Sequence, residues 1–325
     1  KLSLGESYEK LDTPAYASVY GSRRKSLDWS NTLTLDKGTM AFGVNASKES
    51  GYSNGWSGPE FKETRDNHGV FGVWNGSFGR QSLELASRWD DNSQFGNRLT
   101  SSAAWVLQAS PDSRWRASWG QGFRAPNFNE LYYPGFFGSF GGNPNLDPER
   151  SQSLEIGYSH AFTETFRADF SAYRSRIDDL IAFEGVNNQA INIQQARISG
   201  AEAELSGTAG AWQWRTQGTW TQAVNETTGN ALLRRPKTKG LIDVRYRFNG
   251  GSELGLEVSG AGKRPDFGGV LPGYGRIDMI ASWPMADRWR LEGRLENLAD
   301  RDYQLVDGYA TPGRSLFLRL NYLPK

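Results

Sequence analysis

The chain has no cysteine among its 325 residues, which excludes a disulfide framework, a thiolate zinc site and a Cys nucleophile together. Histidine is nearly as scarce. The two histidines, His68 and His160, lie far apart, so a metal pair or a Ser/His/Asp triad would have to bring its partners from distant segments; His160 is expected on the polar face of a strand beside a tight turn. Gly120-Gln121-Gly122 is too short for a dinucleotide fingerprint and reads as a strand end. The chain is therefore expected to be no enzyme and to carry no cofactor. Charge of one sign is lacking too: 37 Lys plus Arg stand against 36 Asp plus Glu, leaving no basic excess for a phosphate backbone and excluding nucleic acid as a partner. No run of about 18 apolar residues occurs and mean hydropathy is -0.62, which excludes a transmembrane helix. A membrane β-barrel survives that test, because each of its strands needs only about 10 alternating residues. The chain begins Lys1-Leu2-Ser3, with no initiator Met and no signal peptide, as expected of a processed or partial sequence.

What is present is aromatic and glycine-rich, with 12 Trp and 38 Gly, a balance that favours short strands and turns over helices. Apolar and polar residues alternate with a period of two from end to end. Leu154, Ile156 and Tyr158 alternate with Ser153, Glu155 and Gly157; Leu254, Leu256 and Val258 alternate with Glu253 and Glu257; Leu316, Leu318 and Leu320 oppose Arg319 and Asn321. Each such segment reads as a strand with one apolar and one wet face, and roughly 16 are counted this way. Tight turns are predicted at 36–38, 78–80, 111–113, 163–164, 208–211, 249–251 and 286–287. Between them lie longer polar or Gly-rich loops at 50–64, 91–97, 123–150, 178–190, 225–236, 263–273 and 299–312.

Alternation alone fits a soluble sandwich or propeller equally well. Strict alternation of short and long connections favours a transmembrane barrel, because an up-and-down meander then places all short turns at one end and all long loops at the other. The expected fold is thus all-β, an antiparallel transmembrane up-and-down β-barrel, with Trp89, Trp105, Trp119, Trp212, Trp214, Trp220, Trp283 and Trp289 available for interfacial girdles. Wet-face charges such as Glu202, Glu204, Arg290 and Arg294 are expected to solvate the interior. A passive 16-stranded porin is one function this architecture allows.

Two stretches, Gly122-Phe123-Arg124-Ala125-Pro126-Asn127-Phe128-Asn129-Glu130-Leu131-Tyr132 and Gly142-Asn143-Pro144-Asn145-Leu146-Asp147-Pro148-Glu149-Arg150-Ser151, resemble a signature loop of TonB-dependent outer-membrane receptors. Ala196 to Glu202, Leu295 to Tyr303 and Gly308 to Ser315 agree with that family in order and spacing. Within it, Ile177-Asp178-Asp179-Leu180-Ile181, Leu232-Leu233-Arg234-Arg235 and Tyr303 to Tyr309 are most similar to cobalamin receptors. The resemblance implies a bacterial outer-membrane, multi-pass receptor for cobalamin or, alternatively, a ferric siderophore. It also implies an N-terminal plug with a TonB-contacting box ahead of about 22 strands. Residues 1–325 are accordingly expected to form the C-terminal part of the barrel, with about 16 of those strands and no plug, in contact with outer-membrane lipid and served by the TonB complex through the N-terminal region. Barrels of this kind usually end on an aromatic residue, whereas Tyr322 is followed here by Leu323-Pro324-Lys325.

For ligand capture, Tyr132, Tyr133, Phe136, Phe137 and Phe140 stand among glycines in the longest loop, where aromatic rings can fold over a large, partly apolar ligand or pack on the rim. Arg234 and Arg235 are placed to meet an anionic group or to remain solvated loop charges. Asn143, Asn145, Asp147 and Glu149 have the spacing of oxygen ligands for a hard cation, yet Asn-Pro and Asp-Pro steps build turns without one, and no metal is expected.

Overall fold

The computed structural model describes residues 1–322, so the predicted departure at Leu323 to Lys325 lies outside the described residues. Strands run over Leu2–Thr13 (β1), Ser18–Leu35 (β2), Gly38–Gly55 (β3), Gly58–Phe78 (β4), Gln81–Asn92 (β5), Gly96–Ser110 (β6), Ser113–Arg124 (β7), Glu149–Thr163 (β8) and Phe166–Ala182 (β9). They continue over Ile191–Ala209 (β10), Trp212–Asn225 (β11), Thr238–Arg247 (β12), Glu253–Ala261 (β13), Arg264–Asp266 (β14), Gly269–Leu271 (β15), Tyr274–Ala286 (β16), Trp289–Glu296 (β17) and Ser315–Tyr322 (β18). Sixteen of these form one antiparallel sheet in sequence order, and β14 with β15 makes a separate small hairpin. Among the described residues one short α-helix, α1, spans Phe128–Tyr132, and single 3-10 turns lie at Pro14–Tyr16 and Val186–Asn188. No helix among the described residues is long and apolar enough to cross a membrane.

All seven predicted tight turns fall on short hairpin connections. The predicted loops at 123–150, 178–190, 225–236, 263–273 and 299–312 are long connections as expected. Two are corrected. Residues 50–64 are mostly strand, because β3 and β4 stay paired up to Gly55 and Gly58, and β5 and β6 likewise pair through Asn92 and Gly96. The reason is solvent: where a strand rises above the apolar zone both of its faces are wet, alternation disappears, and a paired strand has the composition of a loop.

By contact density the chain divides into two units, Lys1–Leu107 with Arg116–Leu154 and Ser175–Ala196, and Gln108–Trp115 with Glu155–Arg174 and the segment from Arg197 onward. In the first unit the face carrying Leu27, Trp29, Val44 and Val70 is apolar and exposed. The second unit shows the same with Leu254, Leu256, Val258, Leu316 and Leu318, as a lipid-facing surface requires. Near its short turns the rings form a chain of contacts: Trp115 to Tyr158 at 4.5 Å, His160 to Phe162 at 4.5 Å, Phe162 to Phe166 at 4.9 Å and Phe166 to Trp214 at 5.7 Å between centroids. This is an interfacial girdle. His160 belongs to it, which corrects its predicted placement on the polar face. Its ring stacks on Tyr158, with centroids 6.1 Å apart and planes within 10°, and meets Phe162 edge-on, so it shares their face of the strand; its Nδ1 lies 2.8 Å from Ser113 Oγ.

Two motifs of the family resemblance have structural explanations here. A Cβ on Gly200 would lie 2.5 Å from the Tyr173 ring and 2.6 Å from the Trp220 carbonyl oxygen, so only glycine fits. Asn297 is buried with φ 53, a left-handed conformation that Asn tolerates. Its side chain accepts from Arg301 N–H and donates to Arg301 C=O, closing the turn after β17.

Candidate functional site

The loop between β7 and β8 is fixed at both ends. At its start Pro126 is fully buried and Asn127 caps α1 reciprocally, accepting from Glu130 N–H at 2.8 Å while the Glu130 carboxylate accepts from Asn127 N–H at 2.8 Å. This is the capping box expected of a helix N-terminus. Arg124 then forks between Glu149, at 2.6 and 2.8 Å, and Glu130, at 2.9 Å, tying the first residue pair of the loop to its last. Arg65 is buried and donates to the Pro126 carbonyl and to Glu49, with its guanidinium 5.1 Å above the Phe128 ring. The far end is held by Asn192, which donates to the Asp147 carbonyl and accepts from Asp147 N–H. Leu131, Leu146, Ile181 and Ala190 form the core beneath, flanked by Phe95, Tyr132 and Phe183. Asn143 closes an Asx turn onto Asn145 N–H and Glu149 is occupied by Arg124, so two of the four spaced oxygen residues serve the turn and the ion pair.

Against this frame the predicted aromatics separate. Tyr132 is half-buried in the core cluster and its hydroxyl accepts from Gln94; the Tyr133 backbone bonds Asn129 and Gly142. Beyond them the chain makes a miniature hairpin in which Phe136 and Ser139 exchange both backbone hydrogen bonds, at 2.7 and 2.9 Å. Phe137 with φ 48 and Gly138 with φ 77 occupy its two central positions. That is a type I′ turn, which favours Asn-Gly, and holding a bulky ring at positive φ costs roughly 1–3 kcal/mol. The strained residue is also the most exposed large hydrophobic of the chain's described residues, at 94%. Phe136 packs edge-on to it at 4.4 Å, and Phe140 sits 6.4 Å from Phe183.

Arg234 and Arg235 lie in the second unit. Arg234 is committed: its Nε donates to Asp266 at 2.9 Å and its guanidinium stacks 5.0 Å over Phe267. Arg235 is exposed and donates to the Leu233 carbonyl. Asp266 is the residue that sequence reasoning missed. It also accepts from the backbone N–H of Phe267 and Asp307, so a single buried carboxylate joins the loops β11–β12, β13–β16 and β17–β18. Gly268 allows this, since a Cβ there would lie 1.9 Å from Asp307 Oδ2. Nothing in Arg264-Pro265-Asp266-Phe267-Gly268 signals partners some 30 to 40 residues away; only an acid between proline and glycine hints at a turn.

Burial pushes the Asp266 carboxyl up, but the Asp307 N–H, Arg234 and the Phe267 N–H outweigh it and leave the group below the usual carboxylate range. A depressed folded value means the clamp is at full strength above the unfolded value of about 3.9 and weakens as pH falls through the folded value. In the full-length receptor, hydrogen exchange at the Asp307 amide, corrected for its intrinsic rate, is expected to stay slow down to pH 4 and to accelerate below it. Asp266→Asn should abolish that acid dependence. Protection that persists unchanged to pH 2 would contradict the assignment.

Residues 4–298 match the family described as TonB dependent receptor-like, beta-barrel. The chain is 29% identical over 316 residues to the vitamin B12 transporter BtuB of Vibrio vulnificus, an alignment covering 93% of this chain and 50% of that protein. Among solved structures it is similar to the copper transporter OprC, with TM-score 0.79 and 17% identity over 99% of this chain and 61% of the other. It is also similar to the ferric enterobactin receptor PfeA of Pseudomonas aeruginosa, with TM-score 0.78 and 16% identity over 94% and 54%. The chain thus spans about half the length of the curated relative it matches. The family match, the sheet of 16 strands and the lipid-type face agree, and the chain belongs to the β-barrel of the TonB-dependent receptor family of the bacterial outer membrane.

Proposed function

We propose that this chain supplies barrel wall and ligand loops to an outer-membrane transporter for cobalamin, and that the remainder of the receptor, N-terminal to it, holds the plug and the segment through which the TonB complex drives uptake. The observation that carries the ligand reading is the likeness to a vitamin B12 transporter across 93% of the chain; the solved neighbours, at 16–17% identity, speak to fold alone. The tip of the β7–β8 loop supports it. Phe136, Phe137 and Phe140 offer apolar ring faces to a large, partly apolar ligand, which is a reason for the chain to retain a strained, exposed phenylalanine. Arg235 is the member of the predicted pair that forms no ion pair among the described residues. A passive porin does not account for the family match.

Equilibrium binding of the full-length receptor to cyanocobalamin and to ferric siderophores tests the reading. Cobalamin is the ligand expected to bind, and Phe137→Ser should weaken it by about 1–2 kcal/mol, roughly 5- to 30-fold. Tight binding of a ferric siderophore with none of cobalamin would transfer the proposal to the siderophore class.

A further inference from the structure

On the apolar face of the first unit the hydrophobic surface stops abruptly. Leu4, Leu27 and Trp29 are exposed on it, at 81%, 45% and 40%. One step further along the strands comes a row in direct register across β1 to β4: Glu6 opposite Lys25, Lys25 opposite Lys48, Lys48 opposite Asp66. Directly facing residues share a sheet face, so all four side chains emerge on the lipid side. Lys25 lies about ten residues up β2 from the short turn after Leu35. At ~3.4 Å per residue and a strand tilt of about 40° this is a height of roughly 26 Å. An outer-membrane barrel's apolar band is about 25 Å tall. The row therefore sits where acyl chains end and headgroups begin, at the end of the strands that carries the β7–β8 loop, as the Arg65 to Pro126 bond shows.

The pairing within the row is unusual. Two lysines face each other, which destabilises a sheet unless an anion intervenes. The flanking acids do not meet that need: Glu6 is taken by Arg23, leaving Lys25 in no ion pair among the described residues, and Lys48 reaches Asp66 only at 4.0 Å. Above the row stand Arg23, Lys10 and Lys62 on the same face, with the Tyr8 and Tyr52 hydroxyls 3.2 Å apart. From the row upward, Lys10, Arg23, Lys25, Lys48 and Lys62 outnumber Glu6, Asp12 and Asp66.

We infer that Lys25 and Lys48 form a binding site for the phosphate of an outer-leaflet lipid, whose acyl chains lie on Leu4, Leu27, Trp29 and Val44. A lipid supplies both parts of the complement, an anion between the two ammonium groups and hydrocarbon on the surface beneath. Neither a soluble anion nor an uncharged lipid supplies both.

The full-length receptor in detergent, examined by native mass spectrometry, tests this. Phosphatidic acid should be retained at one site more strongly than phosphatidylcholine of the same chain length. The variant Lys25→Gln/Lys48→Gln should lose that retention on the order of tenfold, and Lys25→Arg/Lys48→Arg should keep it. Independently of any variant, retention by the wild-type receptor should fall as salt rises from 50 to 500 mM, as screening requires. Equal retention of the two lipids, unaltered retention by the glutamine variant, or displacement of the lipid by millimolar inorganic phosphate would each overturn the proposal, the last by reducing the site to one for free anions.

Discussion

Asp278→Ala is expected to destabilise the full-length receptor by about 3 kcal/mol, toward the lower end of what removal of one partner from a buried ion pair costs. Asp278 is 1% exposed. One carboxylate oxygen accepts from Arg276 at 2.9 Å and Arg294 at 2.7 Å, and the other accepts the Asn297 backbone N–H at 2.9 Å. The register makes this arrangement necessary, because Asp243, Glu257 and Asp278 face one another in a line across β12, β13 and β16. Like charges directly opposed are unfavourable, and they are held by arginines set between them: Arg245 on Asp243 at 2.8 and 3.0 Å, Arg294 across Glu257 and Asp278. Without Asp278, Arg276 keeps the Tyr303 hydroxyl and Glu296, the latter at 3.9 Å, and Asn297 loses the acceptor for its N–H. The cost stays near that lower end because Arg294 is about one third exposed, at 35%, and water can reach it. Denaturant unfolding in lipid is the measurement, with Asp278→Asn, which retains an acceptor for Asn297, expected to lose less. A loss for Asp278→Ala within about 0.5 kcal/mol, the range of an ordinary surface substitution, would contradict this account.

Leu256→Arg should cost about 2–4 kcal/mol in the same assay, the penalty for a cation on the lipid face near the bilayer midplane. Leu256 pairs with Val244 on one side and Met279 on the other, so the substituted guanidinium would find hydrocarbon and no carboxylate. Its neighbour Glu257 points to the opposite, polar face and bonds Arg294. Glu257→Gln is expected to cost less, since Arg294 retains Asp278 and Glu296. A cysteine at 256 labelled by water-confined reagents as readily as one at 257 would show that the two faces are misassigned.

Most of the architecture was legible because one repeating physical demand, apolar toward lipid and polar toward water, writes itself into every second residue. The strand number, the seven short turns and the lipid face of Leu256 and Leu318 all follow from it. It fails where the demand lapses. Gly51, Tyr52 and Ser53 extend β3 through water, so their composition resembled a loop. His160 needed only the period to be carried two residues past Tyr158, and proximity to a turn was the weaker guide. The loop aromatics could be chosen by type and by their glycine neighbours, but which would be packed and which exposed depended on Leu146, Ile181 and Ala190, the last of them 58 residues beyond Tyr132. Arg234 appeared a free charge for the same reason, its partner Asp266 being 32 residues downstream.

The long pairing of β3 with β4 has a mechanical consequence. A segment can swing only where backbone groups are released from a ladder, and this hairpin, matched from Thr39 to Gly55 with one irregularity at Ser53, offers no such place; it can tilt as a plank and cannot fold as a flap. The span from Pro134 to Gly142 is built the opposite way. Its ends are fixed by α1 and by Asn192, and its interior carries Gly135, Gly138 and Gly141 with Phe137 at the crest. Bending in this part of the first unit is therefore confined to some nine residues, tied midway where Phe140 N–H donates to the Asn187 carbonyl, while the neighbouring upright stays rigid.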